Sequence, residues 1–234
     1  MRFSPLGDCG ITITLGDAID EPTNRRVRAA SALLDACALP CIADQVPAFA
    51  SIAVHYDPAL VEGTDDDGSP YERLVSSLAE LLADLHENEM PTPRVVEIPV
   101  CYGGADLGPD LEDVALQHGI GIDDVIRVHS NGDYLVYMVG FMPGFAYLGG
   151  LAPELATPRR SSPRTAVPAG AVGIGGQQTG VYPLVSPGGW NLIGRTPLRI
   201  FDASRENASL LEAGDRVRFV PISRKDFDSW TTFA

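Results

Sequence analysis

Twelve glycines and seven prolines lie between Gly140 and Gly194. Glycine and proline at that density rule out long helices and mark many tight turns. The pieces left between the turns favour strand: residues 134–139, 165–167, 181–184, 192–196, 198–201 and, just beyond, 216–220. Short strands at this spacing predict a closed or nearly closed β-barrel. No period of roughly 20–50 residues repeats, which excludes solenoids and propellers.

The first 90 residues have a different texture, alternating strand and helix. Residues 11–15 form a short β-favouring run after the turn Gly7-Asp8-Cys9-Gly10. Over 21–37, Val27, Ala30, Leu33, Leu34 and Cys37 fall on one stripe at helical spacing. Pro22 suits the first turn of that helix, and Pro40 prevents its continuation. Residues 51–56 read as a second strand, with His55 a surface or satisfied strand residue. The next helix has a complete start signal: Ser69 as cap, Pro70 at the first helical position and Glu72 closing the capping box. Tyr71, Leu74, Leu78, Leu81, Leu82 and Leu85 form its buried stripe. The acidic run at 65–67 sits where the helix dipole favours negative charge, which explains it better than a metal site does. Strand, helix, strand, helix predicts a small α/β sandwich of ferredoxin-like type. Met90-Pro91-Thr92-Pro93-Arg94 reads as a linker, giving an α+β domain at 1–90 and an all-β barrel domain at 94–234. The second domain opens with a strand at 95–100 and carries short helices at 110–118 and 123–129.

Length and composition bound the function. A chain of 234 residues with 45% hydrophobic and 21% charged residues makes one large domain or two small ones. The 17 basic and 31 acidic residues leave a net charge of -14, which repels nucleic acid and anionic membranes. No apolar run approaches the roughly 18 residues of a membrane span. The N-terminus shows no apolar signal core, so a soluble, cytoplasmic chain is expected. Cys9, Cys37, Cys41 and Cys101 make no C-x-x-C pair and read as reduced thiols, so no metal is expected. Lys225 is the single lysine beside 16 arginines. That excludes a Walker P-loop and argues against a Schiff-base lysine or a Ser-Lys amidase. No G-x-S-x-G elbow is present, and His86-Glu87-Asn88-Glu89-Met90 lacks the second histidine of a zincin.

Four segments carry the chemistry. Residues 140–150 set Phe141, Phe145 and Tyr147 among four glycines and Pro143, a loop that can wall a pocket with rings. Residues 157–164 place Arg159, Arg160 and Arg164 within six positions of an acidic chain, a pattern that serves an anion or pairs internally. Residues 167–180 hold a glycine run that is not a dinucleotide fingerprint, because position 178 is Gln178 and no helix follows; the segment reads instead as a strand-turn-strand edge presenting amide side chains. Residues 186–197 close the series with Gly188, Gly189 and Trp190. His129 lies just upstream of the strand that feeds the aromatic loop.

These segments contain H-S-x-x-x-Y, G-F-x-P-G-F-x-Y-L-G-G, P-R-x-x-x-P-R-x-x-V-P-x-G-x-V-G-I-G-G-x-Q-x-G-x-Y-P and S-P-G-G-W-x-x-I-G-R-T-P. They closely resemble the family called allophanate hydrolase subunit 1. That family includes the B-type subunit of 5-oxoprolinase, the KipI sporulation-kinase inhibitor and part of the carboxyltransferase region of urea carboxylase. The resemblance covers essentially the whole chain. It implies a ferredoxin-like N-terminal domain, a cyclophilin-like C-terminal barrel and a cleft lined by the quoted motifs. It also implies a partner chain with a second cyclophilin-like barrel, of the allophanate hydrolase subunit 2 type.

Four functions are compatible with the resemblance: a subunit of an ATP-dependent 5-oxoprolinase, a subunit in allophanate or urea breakdown, a kinase inhibitor, and a carboxyltransferase-like binding module. The lysine count weighs against the second, because allophanate amide hydrolysis calls for a Ser-Ser-Lys amidase. The first is favoured, with ATP and Mg used by the whole complex, none of it assigned to this chain alone, and a LamB/YcsF-type chain as a further partner. Within the implied cleft, His129, Arg164 and Gln177 are the expected catalytic residues. Phe141, Pro143, Gly144, Phe145, Tyr182, Gly189 and Trp190 are expected to bind the substrate. His129 is expected to titrate near neutral pH, Arg164 to hold a carboxylate or phosphate, and Gln177 to pair with a lactam or carbamate. All are expected to converge.

Overall fold

Ile11 faces Val54, and Ile13 faces Ile52, across two antiparallel strands, and all four side chains are fully buried. Apolar alternation of period two thus builds the floor of the first of two compact units, Met1–Thr92 and Pro93–Ala234. The structure is a computed structural model and describes residues 1–83, 85 and 93–230. Residues 90–92 of the linker read at Met90–Arg94, and the segment His86–Met90, lie outside the described residues.

The first unit is a four-stranded antiparallel sheet in the order β1 (Arg2–Pro5), β2 (Gly10–Thr14), β4 (Ser51–Tyr56), β3 (Ile42–Pro47). Helix α1 (Glu21–Cys37) starts where the Asp20 carboxylate accepts the Thr23 N–H at 2.8 Å. It stops at Ala38, in the left-handed conformation. Helix α2 (Pro70–Leu81) starts in a complete capping box, in which Ser69 N–H donates to Glu72 and Glu72 N–H donates to the Ser69 hydroxyl. Val27, Ala30 and Leu34 of α1 and Leu74 and Leu78 of α2 share one core with the sheet.

The ferredoxin-like expectation is not confirmed for this unit. Among the described residues its elements run strand-strand-helix-strand-strand-helix, whereas the ferredoxin-like order is strand-helix-strand-strand-helix-strand. Strand β1 takes the edge beside β2 that a strand following α2 would occupy. Neither edge strand is visible in the sequence pattern, because four-residue β1 and Ile-Ala-Asp-Gln-Val-Pro of β3 show no clean alternation.

The second unit is a closed barrel of seven strands, in the order β10 (Gln178–Val181), β7 (Ala146–Gly149), β6 (Tyr134–Val139), β13 (Arg216–Pro221), β5 (Val95–Tyr102), β12 (Asn191–Arg195) and β9 (Ala171–Gly175). The β5–β13 pair is parallel, and the other pairs are antiparallel. Ile98, Val136, Leu148, Ile174 and Phe219 fill its interior. Helices α3 (Leu111–His118), α4 (Ile122–Ser130) and α5 (Arg224–Ser229) belong to the same unit. A separate two-stranded ribbon pairs β8 (Arg164–Val167) with β11 (Ser186–Gly188). Two expected strands are corrected. The strand near 181–184 ends at Val181, and residues 198–201 make only an isolated bridge from Phe201 to Ser209. Strands β9 and β10, paired across the turn at Gly176 and Gln177, are the strand-turn-strand expected over 167–180.

Candidate functional site: an aromatic pocket walled by arginine

Phe141, Phe145, Tyr147, Tyr182 and Trp190 surround a pocket of about 210 Å³. Phe145 is the centre of the group. Its ring lies 4.9 Å from Tyr147, 5.5 Å from Tyr182 and 5.6 Å from Trp190, edge to face in each case. Phe145, Tyr182 and Trp190 are buried, so the inner wall is firm. Phe141 at the rim is 67% exposed and sits at φ 71, a left-handed conformation that bulky residues avoid. Two turn bonds hold it there, from Gly140 N–H to Phe145 C=O at 2.9 Å and from Phe145 N–H to Met142 C=O at 3.0 Å. Strain of this kind persists where the surroundings over-determine it, commonly at ligand sites.

The glycine run explains how Trp190 fits. A Cβ on Gly175 would meet the indole at 2.4 Å. The barrel wall is therefore bare of side chains at that point, so that a tryptophan can lie against it. The run serves close packing of backbone and ring rather than a phosphate.

The remaining wall includes Arg159 and Arg160. Arg160 and Arg164 both donate to Asp110 Oδ1, at 2.8 and 2.7 Å. Asp110 Oδ2 accepts the Leu192 N–H at 2.7 Å. The Asp110 carboxylate is 3% exposed, against 35% for the Arg160 side chain and 25% for that of Arg164. Two guanidinium groups thus share one buried carboxylate, and one positive charge is left over. Arg159 is exposed, and no carboxylate pairs with it among the described residues. Burial pushes the Tyr182 hydroxyl pKa up, against the opposing charges of Arg159 and Arg164.

His129 occupies a different place. It lies in the last turn of α4, fully buried, with its ring stacked 4.6 Å from that of Phe219. Nδ1 is 2.8 Å from the Tyr102 hydroxyl, and Nε2 is 2.8 Å from the Thr179 hydroxyl. The Thr179 hydroxyl donates to Gly173 C=O at 3.0 Å, so it accepts from Nε2–H. The network therefore assigns a neutral ring with its proton on Nε2. Burial pushes the His129 pKa down to about 3. The expectation of titration near neutral pH is corrected: desolvation disfavours the charged ring, and no carboxylate contacts it to compensate among the described residues.

The other expected site residues divide in the same way. Phe141, Phe145, Tyr182, Gly189 and Trp190 line the pocket. Arg164 stands one ion pair behind it, through Asp110 and Arg160. Gln177 is exposed at the turn between β9 and β10, and Pro143 is exposed on its loop. Gly144 is buried at φ +79, where a Cβ would meet the Phe201 side chain at 2.8 Å. The expected convergence of His129, Gln177, Pro143 and Gly144 on the cleft is therefore absent.

The family model described as carboxyltransferase domain, subdomain C and D, matches residues 1–211. This chain belongs to that family. Among curated relatives, the B-type subunit of 5-oxoprolinase from Bacillus subtilis (strain 168) is 47% identical over 231 residues, covering 98% of this chain and 96% of that protein. The crystal structure of TTHA0988 superposes with a TM-score of 0.78 at 39% identity, over 92% of this chain and 40% of that one. The chain thus spans about two fifths of TTHA0988. The urea carboxylase of Kluyveromyces lactis shares the fold, with a TM-score of 0.73 at 18% identity over 97% of this chain and 22% of that one.

Among the residues that build this family member's pocket, sequence reasoning does not select Arg159, Arg160, Tyr147 or Asp110. The first three stand inside motifs already singled out, and only the choice within each cluster is missed. Asp110 carries no signal, because its partners lie 50 and 54 residues away along the chain.

Proposed function

We propose that the chain is a subunit of an ATP-dependent 5-oxoprolinase, which opens the lactam of 5-oxo-L-proline to L-glutamate. The observation that carries this reading is the 47% identity to the B-type subunit of 5-oxoprolinase, end to end in both chains. The aromatic pocket with arginine in its wall supports it. A small ring acid is flat and anionic, and edge-on rings beside guanidinium groups suit both properties.

A lactam amide is stabilised by resonance, and its opening needs activation. ATP, with its Mg²⁺, supplies that activation in the complex. The residues of this chain hold the substrate, and the water that the opening consumes enters from solvent at the open rim: Phe145, Tyr182 and Trp190 pack the ring, and the arginine side supplies fixed positive charge that needs no reorganisation during the reaction. His129, neutral and enclosed, keeps the barrel wall behind the pocket in register rather than moving a proton in it. Activity requires partner chains, one bearing a second cyclophilin-like barrel and one of LamB/YcsF type. The longer TTHA0988 chain, of which this fold is two fifths, supports a partner that acts together with it. A reaction that consumes ATP suits the cytoplasm. Among the described residues no helix is long and apolar enough to cross a membrane.

The test is a reconstitution of this chain with its partners, supplied with ATP and 5-oxoproline. Glutamate release that needs all the chains and ATP is the expected result. Ammonia release from allophanate, with no glutamate, would replace this reading with one in allophanate breakdown.

A further inference from the structure

Between the last turn of α1 and the edge strand β3 lies a groove of about 390 Å³. Leu34, Leu39 and Ile42 give it an apolar lining continuous with the core of the first unit. Asp35 and Asp44, both exposed, stand in the same lining, and no basic residue does among the described residues. The polar groups here are mostly acceptors. Ala48 N–H donates to Ser51 C=O at 2.8 Å, so by alternation Val46 faces β4 while Gln45 and Pro47 turn their backbone groups to the free edge. Pro47 has no N–H, and the Gln45 N–H donates to the Asp44 carboxylate at 2.8 Å. The Gln45 side-chain nitrogen donates to Ser31 C=O and Asp35 Oδ1, at 3.0 and 2.5 Å. Ala38 N–H and Ile42 N–H donate to Leu34 C=O and Leu39 C=O. An edge short of donors is a poor template for a further strand. Helix α1 brings its negative end to the same place, with Asp35 and no basic residue in its last turn.

We propose that this groove docks an arginine-bearing segment of a partner polypeptide. The alkyl stem and the apolar neighbours of the arginine lie on Leu34, Leu39 and Ile42, and its guanidinium meets Asp35, Asp44 and the free edge carbonyls. Arginine fits better than lysine, because its five donors lie in one plane and its charge is weakly hydrated, so it matches several acceptors beside an apolar surface. Charge selects the kind of partner. Residues 1–92 carry 16 acidic and 5 basic residues, against 15 and 12 in the rest of the chain. The negative field is therefore concentrated on the unit that holds the groove, where it steers a basic segment in and repels the same unit of a second copy. The proposal does not depend on the 5-oxoprolinase reading, and it concerns the unit that holds no part of the aromatic pocket.

Binding is read on the full-length chain carrying Cys9→Ser. Of the four cysteines only Cys9 and Cys37 are exposed, so this leaves Cys37, beside the groove in the last turn of α1, to carry an environment-sensitive fluorophore. The probe is an acetylated and amidated peptide of alternating leucine and arginine, compared with its lysine and citrulline counterparts and with spermidine. A saturable change with the arginine peptide is expected, with the lysine peptide about threefold weaker and the neutral, isosteric citrulline peptide at least about tenfold weaker. Asp35→Asn and Asp44→Asn keep shape and an acceptor oxygen, and each weakens the arginine peptide by about threefold, the pair by about tenfold. Asp66→Asn removes the same charge from an exposed position outside the groove lining and leaves the affinity unchanged. Calorimetry on the unlabelled chain gives the same constants. Silence with the arginine peptide, equal binding of the citrulline peptide, or an equal loss in Asp66→Asn each overturns the proposal. Tighter binding of spermidine makes the groove a site for small cations and overturns it too. So does sedimentation of the unliganded chain as a dimer that Asp35→Asn and Asp44→Asn dissociate, which gives the groove to a second copy.

Discussion

Trp190→Ala lowers the unfolding free energy of the barrel-bearing unit by about 3–5 kcal/mol. The indole is 4% exposed and packs edge-on against Phe145 and Tyr182. Its other face lies on backbone that is bare at Gly175. Nothing on that side can collapse into the space, because glycine has no side chain to move and the barrel strands are hydrogen-bonded in register. A cavity therefore remains, and the cost falls in the upper part of the range for aromatic deletions. Denaturant unfolding of the full-length chain measures it. A loss below about 1 kcal/mol would mean that the rings close over the gap and that the pocket is soft. The same substitution removes one wall of the pocket, so 5-oxoproline binding followed by calorimetry falls with it.

Acidification from pH 7 to pH 5 removes about 2 kcal/mol of stability through His129 alone. The ring titrates at its ordinary value of 6.5 once unfolded and at about 3 in the folded chain. Between those values the unfolded chain takes up a proton that the folded chain refuses. The contribution is complete above 6.5, falls by about 1.4 kcal/mol for each pH unit below it, and stops falling near 3. Carboxylates contribute their own slope, so the comparison is between the chain and its His129→Gln variant. The variant loses less stability over the same interval by about 2 kcal/mol. An identical loss in both would place the source of acid sensitivity elsewhere. The variant's absolute stability does not enter, because each protein is compared with itself at two pH values.

How much can be read in advance depends on how far along the chain each determinant reaches. Helix α1 at Glu21–Cys37 is legible because its stripe and its proline signals are local. Helix α2 is legible because Ser69, Pro70 and Glu72 act within one turn. The barrel is legible as a class, since glycine and proline punctuation excludes long helices wherever it occurs. Its strand list is less so: β7 is four residues long and ends in glycine, and β11 is only three residues long. The strand order of the sandwich is not legible, because β1 is too short to announce itself.

The sequence by itself determined the two textures, the two long helices and the ring-bearing segments that wall the pocket, because backbone punctuation, helix caps and aromatic clusters act over a few residues. Tertiary structure alone decided the chemistry of individual groups. Arg160 rather than Arg164 reaches the pocket because Asp110, brought in from the start of α3, holds both and leaves only one at the wall. His129 is neutral because Tyr102, Thr179 and Phe219, from three separate strands, enclose it. Desolvation and charge pairing depend on what long-range folding places within a few ångströms, and no short stretch of sequence records that.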